Sequence, residues 1–224
     1  MNEDLTSNIA FAGLTAAGKT THARRLAVEL GYAYVSATDI LLDLLGIRDP
    51  SEQVWRTRLA EVHAAREDGS VDAELEERLV SLNREHKRTV FDTWALAWIG
   101  DDPLVRIWIE SDPESRARKC QVSVGAARPS LPDCRALLSS KDTFNREVFR
   151  QRHGFDLFTD RDRYDAVLDN SHLIPHATVA AARVGIDAFA PVVHAAAISL
   201  MSSDRPAARA LLRGNPREVQ RLSV

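Results

Sequence analysis

The stretch Gly13-Leu14-Thr15-Ala16-Ala17-Gly18-Lys19-Thr20 decides the fold of this chain, because it has the form Gly-x-x-x-x-Gly-Lys-Thr. It follows the short apolar run Ile9–Ala12 and precedes residues 19–30, whose apolar positions recur at helical spacing. A strand, a glycine-rich turn and a helix in this order predict a loop whose backbone amides cradle phosphate groups. In such loops the lysine contacts the β- and γ-phosphates and the hydroxyl ligates Mg²⁺, which are the tasks predicted for Lys19 and Thr20. The residues predicted to contact the nucleotide are Gly13, Leu14, Thr15, Ala16, Ala17, Gly18, Lys19, Thr20 and Thr21.

The composition is that of an ordinary globular protein. The chain has 224 residues, of which 45% are hydrophobic and 27% charged, so it can form one domain with a substantial core. A net charge of −3 gives no basis for binding a nucleic-acid polymer or a membrane surface. We find no apolar run near the ~18 residues that span a bilayer and no basic start of a signal peptide. We therefore expect a cytoplasmic monomer or homodimer, with Cys120 and Cys134 as free thiols.

Strand and helix patterns alternate along the chain and predict a parallel α/β sheet of about five strands, covered by helices on both faces. The predicted strands are 9–12, 32–36, 89–92, 104–109 and 166–169. Helices are predicted at 19–30, 51–66, 71–87, 142–152 and 175–190. A short helix capped by Thr38 or Asp39 is predicted to end at Leu45, and a further helix is predicted to start at 111–114. Residues 125–135 are predicted to form a loop or mobile region. Ligands of such sheets bind at the carboxyl ends of the strands, where segments 13–20, 36–42, 92–98 and 169–172 should converge.

Two aspartates follow predicted strands and should open onto this crevice. Asp92 ends the run 89–92, where proteins with this phosphate loop place a carboxylate that holds Mg²⁺ directly or through water. The alternative is an ordinary strand-end aspartate that caps the next turn. Asp39 is a candidate to contact the acceptor or to act as a base toward its hydroxyl, and the alternative is a helix N-cap for 40–45. We predict Thr20 and Asp92 as metal ligands, and Asp39 and Asp92 as substrate contacts.

Basic residues cluster in two later stretches, Arg116, Arg118 and Lys119 in one and Lys141, Arg146 and Arg150 in the other. Positions 146 and 150 share one face of a predicted helix. Cations brought over a γ-phosphate neutralise the charge of phosphoryl transfer and exclude water, so we predict a closing basic lid. The alternative is a solvated basic surface. The predicted catalytic residues are Lys19, Asp39, Arg116, Lys141, Arg146 and Arg150.

Trp94 and Trp98 follow Asp92 at a spacing of four, which is typical of a helical pair. Either indole could stack on a nucleobase or a sugar of the substrate, and the alternative is that both belong to the core.

The later part of the chain carries the most distinctive resemblance. Lys141-Asp142, Arg146, Phe149-Arg150, Gly154-Phe155-Asp156 and the run Tyr164–Ser171 resemble the lid exit and last strand of the nucleoside monophosphate kinases, and within them the cytidylate kinase-like group. Earlier parts of that family are similar to Gly13–Thr21 with Leu26-Ala27 and Leu30-Gly31-Tyr32, to Ser36–Asp39, to Phe91-Asp92 and to Ser111–Arg118. The likeness covers roughly residues 8–190. It implies a P-loop kinase domain over 1–190, with an acceptor-binding region at about 37–88, an Arg-rich lid at about 116–152, and a helical or flexible tail over 191–224.

The resemblance implies transfer of the γ-phosphate of ATP, with Mg²⁺, to a (deoxy)cytidylate-like small molecule. Two departures concern the acceptor. The family usually has an arginine three residues after the position of Asp39, where this chain has Leu42, and Asp-Gly-Arg where this chain has Asp92-Thr93-Trp94. Either other cations (Arg48, Arg56, Arg58 or the lid) bind the acceptor phosphate, or the acceptor is an unphosphorylated alcohol or nucleoside. In the second case Asp39 would orient its hydroxyl and Trp94 or Trp98 would shape an apolar pocket.

A third hypothesis is a nucleotide-binding regulator without turnover. The lid-like basic residues argue against it, because binding alone needs no closure that excludes water.

Overall fold

The computed structural model describes residues 6–47, 58–123, 129–202 and 205–223. A single mixed sheet forms the centre of this part of the chain. Its strands are β1 (Asn8–Ala12), β2 (Ala33–Ser36), β3 (Thr89–Asp92), β4 (Leu104–Glu110), β5 (Ala166–Asp169) and β6 (Val219–Leu222). They are ordered β2-β3-β1-β4-β5-β6. The first five are parallel and β6 pairs antiparallel with β5. The predicted α/β class is confirmed, with six strands instead of about five.

Helices cover both faces of this sheet. They are α1 (Lys19–Leu30), α2 (Ala37–Leu44), α3 (Leu59–Ala65), α4 (Ser70–Glu85), α5 (Leu96–Ile99), α6 (Pro113–Ser123), α7 (Leu131–His153), α8 (Val179–Met201) and α9 (Pro206–Gly214). Ile9 and Phe11 of β1 pack with α1 and α8 on one face, and Ala10 and Ala12 pack with α2, α4 and α5 on the other. Because β1 is buried on both faces, it forms a continuous apolar run.

The predicted loop at 125–135 is wrong from Leu131 onward, because α7 begins there and not near Asp142. Ser130 caps the helix, since its hydroxyl accepts the Asp133 N–H while the Asp133 carboxylate accepts the Ser130 N–H. Pro132 lies in the first turn, where its missing N–H costs nothing. Residues 124–128 of the predicted loop lie outside the described residues.

The helix predicted at 175–190 begins later and ends later, because α8 runs from Val179 to Met201 through Pro191. The Thr178 hydroxyl caps it by accepting the Ala181 N–H at 3.1 Å. An interior proline costs about 3 kcal/mol. Val192 and Val193 are almost fully buried beyond it, and full burial of such a side chain contributes about 1.5–3 kcal/mol. Packing after the proline therefore offsets its cost, and the tail continues into α9 and β6.

Helix α8 is long and apolar enough to span a membrane by length and composition, a segment that the sequence analysis overlooked. Half of its most apolar stretch of residues is buried within the fold. Its Phe189 and Val193 belong to the core beneath the sheet.

Other element boundaries differ from the sequence predictions by a few residues. Strand β2 begins at Ala33, and α2 is capped by Ser36, whose hydroxyl accepts the Asp39 N–H at 3.1 Å. Asp39 is therefore in the first turn and is not the cap. Helix α3 covers the last part of the predicted helix 51–66, whose residues 51–57 lie outside the described residues. Trp94 precedes α5, so the predicted helical pair of tryptophans is wrong.

Candidate active site

A cavity of about 700 Å³ opens at the carboxyl ends of the parallel strands. The segments after β1, β2, β3 and β5 contribute most of residues 15–22, 36–42, 92–95 and 170–174 to its wall. The convergence predicted from the sequence is thus present for these four segments. Helices α4, α6, α7 and α8 supply most of the rest of the wall, together with Arg24 of α1 and Arg66 after α3.

The loop after β1 has the backbone shape that a phosphate cradle requires. Gly13 and Gly18 have φ of 148° and 100°, and Ala16 has a φ of 61°. A Cβ on Gly13 would lie 2.5 Å from the Ile109 carbonyl oxygen, so this position accepts only glycine without a shift. Helix α1 starts directly after Gly18, so the positive end of its dipole lies at the loop.

Lys19 lies inside this loop. Its Nζ donates to the Leu14 carbonyl at 3.2 Å and lies 5.0 Å from the centroid of the Trp94 ring. The Trp94 indole N–H donates to the Gly13 carbonyl. Burial lowers the pKa of Lys19, and the charges of Asp92 and Asp142 oppose that shift. Trp94 lines the cavity and packs against the phosphate loop, in the position where an acceptor arginine was expected.

Thr20 and Asp92 meet at the ends of α1 and β3. The Thr20 hydroxyl donates to Asp92 Oδ2 at 2.5 Å, and the Tyr34 hydroxyl donates to the same oxygen at 3.3 Å. Burial, followed by the charge of Asp92, raises the pKa of Tyr34. A carboxylate and a hydroxyl with room for waters are the donors that suit Mg²⁺. The chemistry of this pair therefore fits the predicted metal.

Asp142 of α7 also contacts the phosphate loop, a contact that the sequence analysis missed. Its carboxylate accepts the Thr15 N–H at 3.1 Å and the Thr15 hydroxyl at 2.6 Å, and it pairs with Arg116. Arg116 also donates to the Thr15 carbonyl at 3.2 Å. Arg116 is buried behind the loop, so the first predicted lid cation lies near the phosphate site and is held by a carboxylate.

The face of α7 that lines the cavity includes Leu137, Lys141, Asn145 and Phe149, each four residues apart, with Leu138 beside them. Burial lowers the pKa of Lys141 to about 7, and the charge of Lys19 acts in the same direction. Arg146 and Arg150 are each one position further along the helix and therefore point to a different side.

Arg146 and Arg150 instead bind Asp156, which lies beyond the end of α7. The N–O distances to this carboxylate are 2.6 Å for Arg146 and 2.8 Å for Arg150. The hydrogen bond from Arg146, followed by those from the Phe158 N–H and Arg150, lowers the pKa of Asp156 to about 2. The structure therefore does not bring these two predicted catalytic arginines into the cavity.

Trp98 is also away from the cavity. Its ring stacks on Phe155 with centroids 4.1 Å apart, and its N–H donates to the Tyr164 hydroxyl at 3.3 Å. The structure places it in the core contact that the sequence analysis gave as the alternative.

One wall of the cavity is contributed by α2, α4 and α7 and contains Asp39, a predicted acceptor contact. Asp39 is exposed to the cavity, and Leu42 is buried in its wall. Arg66 also lines it, but its guanidinium binds Asp72 through both Nε and Nη2 and donates to the Asn145 side-chain oxygen at 3.1 Å. Each of its three guanidinium nitrogens therefore has a partner within the protein.

The opposite wall lies between α6, α8 and the loop after β5. Lys119 Nζ donates to the Ser111 hydroxyl at 2.8 Å and to the Asn170 side-chain oxygen at 2.5 Å. Burial lowers its pKa to about 7. Gly185 of α8 brings this helix close to Leu173, because an added Cβ would lie 2.6 Å from the Leu173 carbonyl oxygen. The cysteine prediction is confirmed, as Cys120 and Cys134 are buried and form no disulfide.

The sequence of this chain matches a family of known proteins. A profile of the cytidylate kinase-like family matches residues 8–172. The chain belongs to the cytidylate kinase-like family. It is therefore a kinase with a phosphate-binding loop, as predicted. It is similar to the cytidylate kinase of Natronomonas pharaonis, with 28% identity over 82% of this chain and 91% of that protein. The cytidylate kinase of Haloarcula marismortui is 24% identical over the same shares.

Solved structures agree with the fold of this cytidylate kinase-like protein. An uncharacterized protein from Eubacterium ventriosum has a TM-score of 0.58 and 11% identity, covering 89% of this chain and 99% of that one. Shikimate kinase from Bacteroides thetaiotaomicron has a TM-score of 0.50 and 11% identity, covering 82% and 96%. At these identities the likeness shows the fold alone.

Proposed function

We propose that the protein is an ATP- and Mg²⁺-dependent kinase that transfers the γ-phosphate to a (deoxy)cytidylate-like nucleoside monophosphate. The observation that carries the proposal is the Gly13–Thr20 loop, which sets Lys19 and the Thr20–Asp92 pair at the carboxyl edge of the sheet. The family, and relatives whose name is cytidylate kinase, support the acceptor class.

On the donor side, the loop amides bind the phosphate oxygens and Lys19 donates to the β- and γ-phosphates. Thr20 and Asp92 would hold Mg²⁺, which when bound neutralises phosphate charge and orients the transferred group. Lys141 faces the same space from α7 and adds positive charge near the transferring phosphoryl group.

On the acceptor side, Asp39 reaches the cavity from the first turn of α2. It accepts a hydrogen bond from the acceptor, whose attacking group is an oxygen of its own phosphate, so the role of base toward a hydroxyl belongs to the second candidate below. Helices α6 and α7 pack together through Ala117, Cys120, Cys134 and Leu138, and form the lid that excludes water.

A second candidate is a kinase for an unphosphorylated alcohol or nucleoside. Leu42 and Trp94 favour it, because both line the cavity at positions where the family usually has acceptor arginines. Among the described residues that line the cavity the arginines are Arg24 and Arg66, and Arg66 is bound to Asp72.

A coupled assay of ADP release from ATP across CMP, dCMP, UMP, AMP and unphosphorylated nucleosides separates the two candidates. The proposal expects turnover of CMP or dCMP. Turnover of a nucleoside or another alcohol, with none of any monophosphate, contradicts it and supports the second candidate. ATP binding without transfer to any acceptor would indicate the nucleotide-binding regulator.

Lys19→Ala should abolish transfer while circular dichroism stays unchanged, and retained activity would contradict the assignment of the phosphate loop.

The variant Leu42→Arg tests the acceptor phosphate directly. A charge-assisted hydrogen bond contributes about 1.5–3 kcal/mol, so the added arginine should lower the KM for CMP by about tenfold or more. The KM for cytidine is the matched control and should not fall. If the natural acceptor has no phosphate, Leu42→Arg weakens its binding and leaves CMP unused.

A further inference from the structure

Arg24 brings a guanidinium to the cavity from helix α1. Arg24 lines the cavity and is exposed. It follows Thr20 by four residues, so the two side chains lie on the same face of α1, about one turn apart. Residues 36–39, at the start of α2, line the same cavity. The Arg24 side chain is therefore one helical turn from the hydroxyl that is predicted to hold Mg²⁺.

Tyr34 of β2 holds this guanidinium beside the metal pair. The central carbon of the Arg24 guanidinium lies 5.2 Å from the centroid of the Tyr34 ring, a distance at which the ring attracts a cation. The Tyr34 hydroxyl donates to Asp92 Oδ2 at 3.3 Å. Strand β2 ends two residues later at Ser36, which caps the helix that carries Asp39. Arg24 is thus linked through Tyr34 both to the end of β3 and to the segment of the predicted acceptor contact.

The Arg24 guanidinium can still bind an anion. Among the described residues no carboxylate forms an ion pair with Arg24. Arg66, the other arginine of the cavity wall, binds Asp72 and Asn145 with all of its nitrogens. A guanidinium has five N–H donors, so contact with one tyrosine leaves others available. Its planar fork matches two oxygens of a phosphate.

We propose that Arg24 binds the phosphate of the acceptor and thereby selects acceptors that carry an anionic group. This inference rests on the proposed function, because it takes the acceptor to be a nucleoside monophosphate. The family usually has acceptor arginines at the positions of Leu42 and Trp94. In this chain the positive charge comes from α1 instead, beside the Thr20–Asp92 pair. Arg24 is then a residue that determines specificity for a phosphorylated acceptor.

The test measures the KM for CMP at saturating ATP, and the KM for ATP at saturating CMP, in Arg24→Gln. The substitution removes a bidentate, charge-assisted contact, so the KM for CMP should rise by about tenfold to a hundredfold. The KM for ATP should stay that of the wild type. Arg25→Gln is the matched control, because Arg25 is the next residue of α1 but pairs with Glu29 and Asp187. Both of its KM values should equal those of the wild type.

Two further variants separate acceptor binding from a structural role of Arg24. Arg24→Lys keeps the charge but loses the planar fork, so its KM for CMP should rise by about three- to tenfold. Tyr34→Phe keeps the ring beside Arg24 and removes the hydrogen bond to Asp92, so its KM for CMP should not change. If Arg24→Gln raises the KM for ATP and not the KM for CMP, Arg24 acts on the metal pair through Tyr34, and the inference is overturned.

The outcome also distinguishes the inference from the proposed function. If the wild type uses CMP and Arg24→Gln has an unchanged KM for it, the inference fails while the proposed function stands. If the wild type uses no monophosphate, the wild type alone contradicts the proposed function, and the inference fails with it. If Arg24→Gln does not fold, Arg24→Lys decides, and a KM for CMP equal to that of the wild type overturns the inference.

Discussion

Lys141 is a cation of the cavity wall whose charge should depend on pH near neutrality. Burial and the charge of Lys19 lower its pKa to about 7, so it is protonated below that pH and loses its charge as the pH rises through it. If the charged form assists transfer, kcat/KM should fall above about pH 7. Lys141→Arg should abolish this decline, because a guanidinium keeps its charge throughout this range.

The measurement is the pH profile of ADP release from pH 6 to 9. Lys119→Arg is the control, since the pKa of Lys119 is also about 7 but its ammonium binds Ser111 and Asn170. That variant should keep the decline. A decline that persists in Lys141→Arg shows that another group is responsible.

Gly13 is the residue of the phosphate loop that tolerates a side chain least. Its φ of 148° and the 2.5 Å approach of a Cβ to the Ile109 carbonyl mean that Gly13→Ala must shift β1 or β4. We expect loss of ADP binding and a large decrease in Tm. Gly154→Ala is the control, because Gly154 also has a positive φ, of 73°, but an added Cβ would have no heavy atom within 4 Å. It should cost only about 1–2 kcal/mol of stability and keep ADP binding. Equal effects of the two variants would contradict this explanation.

At the scale of elements, the buried pair Arg66–Asp72 links the end of α3 and the start of α4 to α7. Both side chains are about 5% exposed, and Arg66 also binds Asn145. Arg66→Met should lower the free energy of unfolding by about 3–5 kcal/mol, because it leaves Asp72 buried without its partner. The double variant Arg66→Met/Asp72→Leu should recover most of this loss, since it leaves neither charge buried.

Urea unfolding measures these values, and an exposed pair provides the control. Arg135 and Glu114 also form an ion pair, but both are about half exposed, so Arg135→Ala should change stability by less than about 1 kcal/mol. A double variant as unstable as Arg66→Met would show that the site depends on the charges themselves.

The boundaries of the elements could be predicted where local signals agree. The limits of α1 were predicted correctly because a glycine flanks each end in the sequence. In the structure Gly18 and Gly31 both have the positive φ that ends a helix there. The start of α7 was missed although Ser130 and Asp133 form a capping box that is readable in the sequence. Gly125, Pro129 and Pro132 outweighed it in the sequence analysis. The continuation of α8 past Pro191 had no local signal, because tertiary burial offsets the cost of the proline.

At the scale of the whole molecule, the location of the site followed from the alternation of strands and helices. Parallel strands with crossover helices bring their carboxyl ends to one edge, so the segments of Gly13 and Asp92 had to meet. Which side chains pair across that edge could not be predicted. Asp142 and Thr15, or Arg146 and Asp156, meet through the orientation of α7, and a rotation of about one residue along the helix decides which face reaches the cavity.

The C-terminal strand β6 closes one edge of the sheet, and its removal tests how far the tail contributes to the fold. β6 pairs with β5, and Leu222 and Val219 pack against the core. The Arg221 guanidinium donates to the Tyr164 carbonyl at 2.5 Å. A chain that ends at residue 214 exposes the backbone groups of β5, and an unpaired edge of this kind promotes association. We expect a lower Tm by differential scanning fluorimetry and oligomers in light scattering. Gln220→Ala keeps the backbone hydrogen bonds between β5 and β6, so its Tm and its mass in light scattering should be close to those of the wild type. A truncated chain with an unchanged Tm and an unchanged mass would show that the sheet is stable without β6.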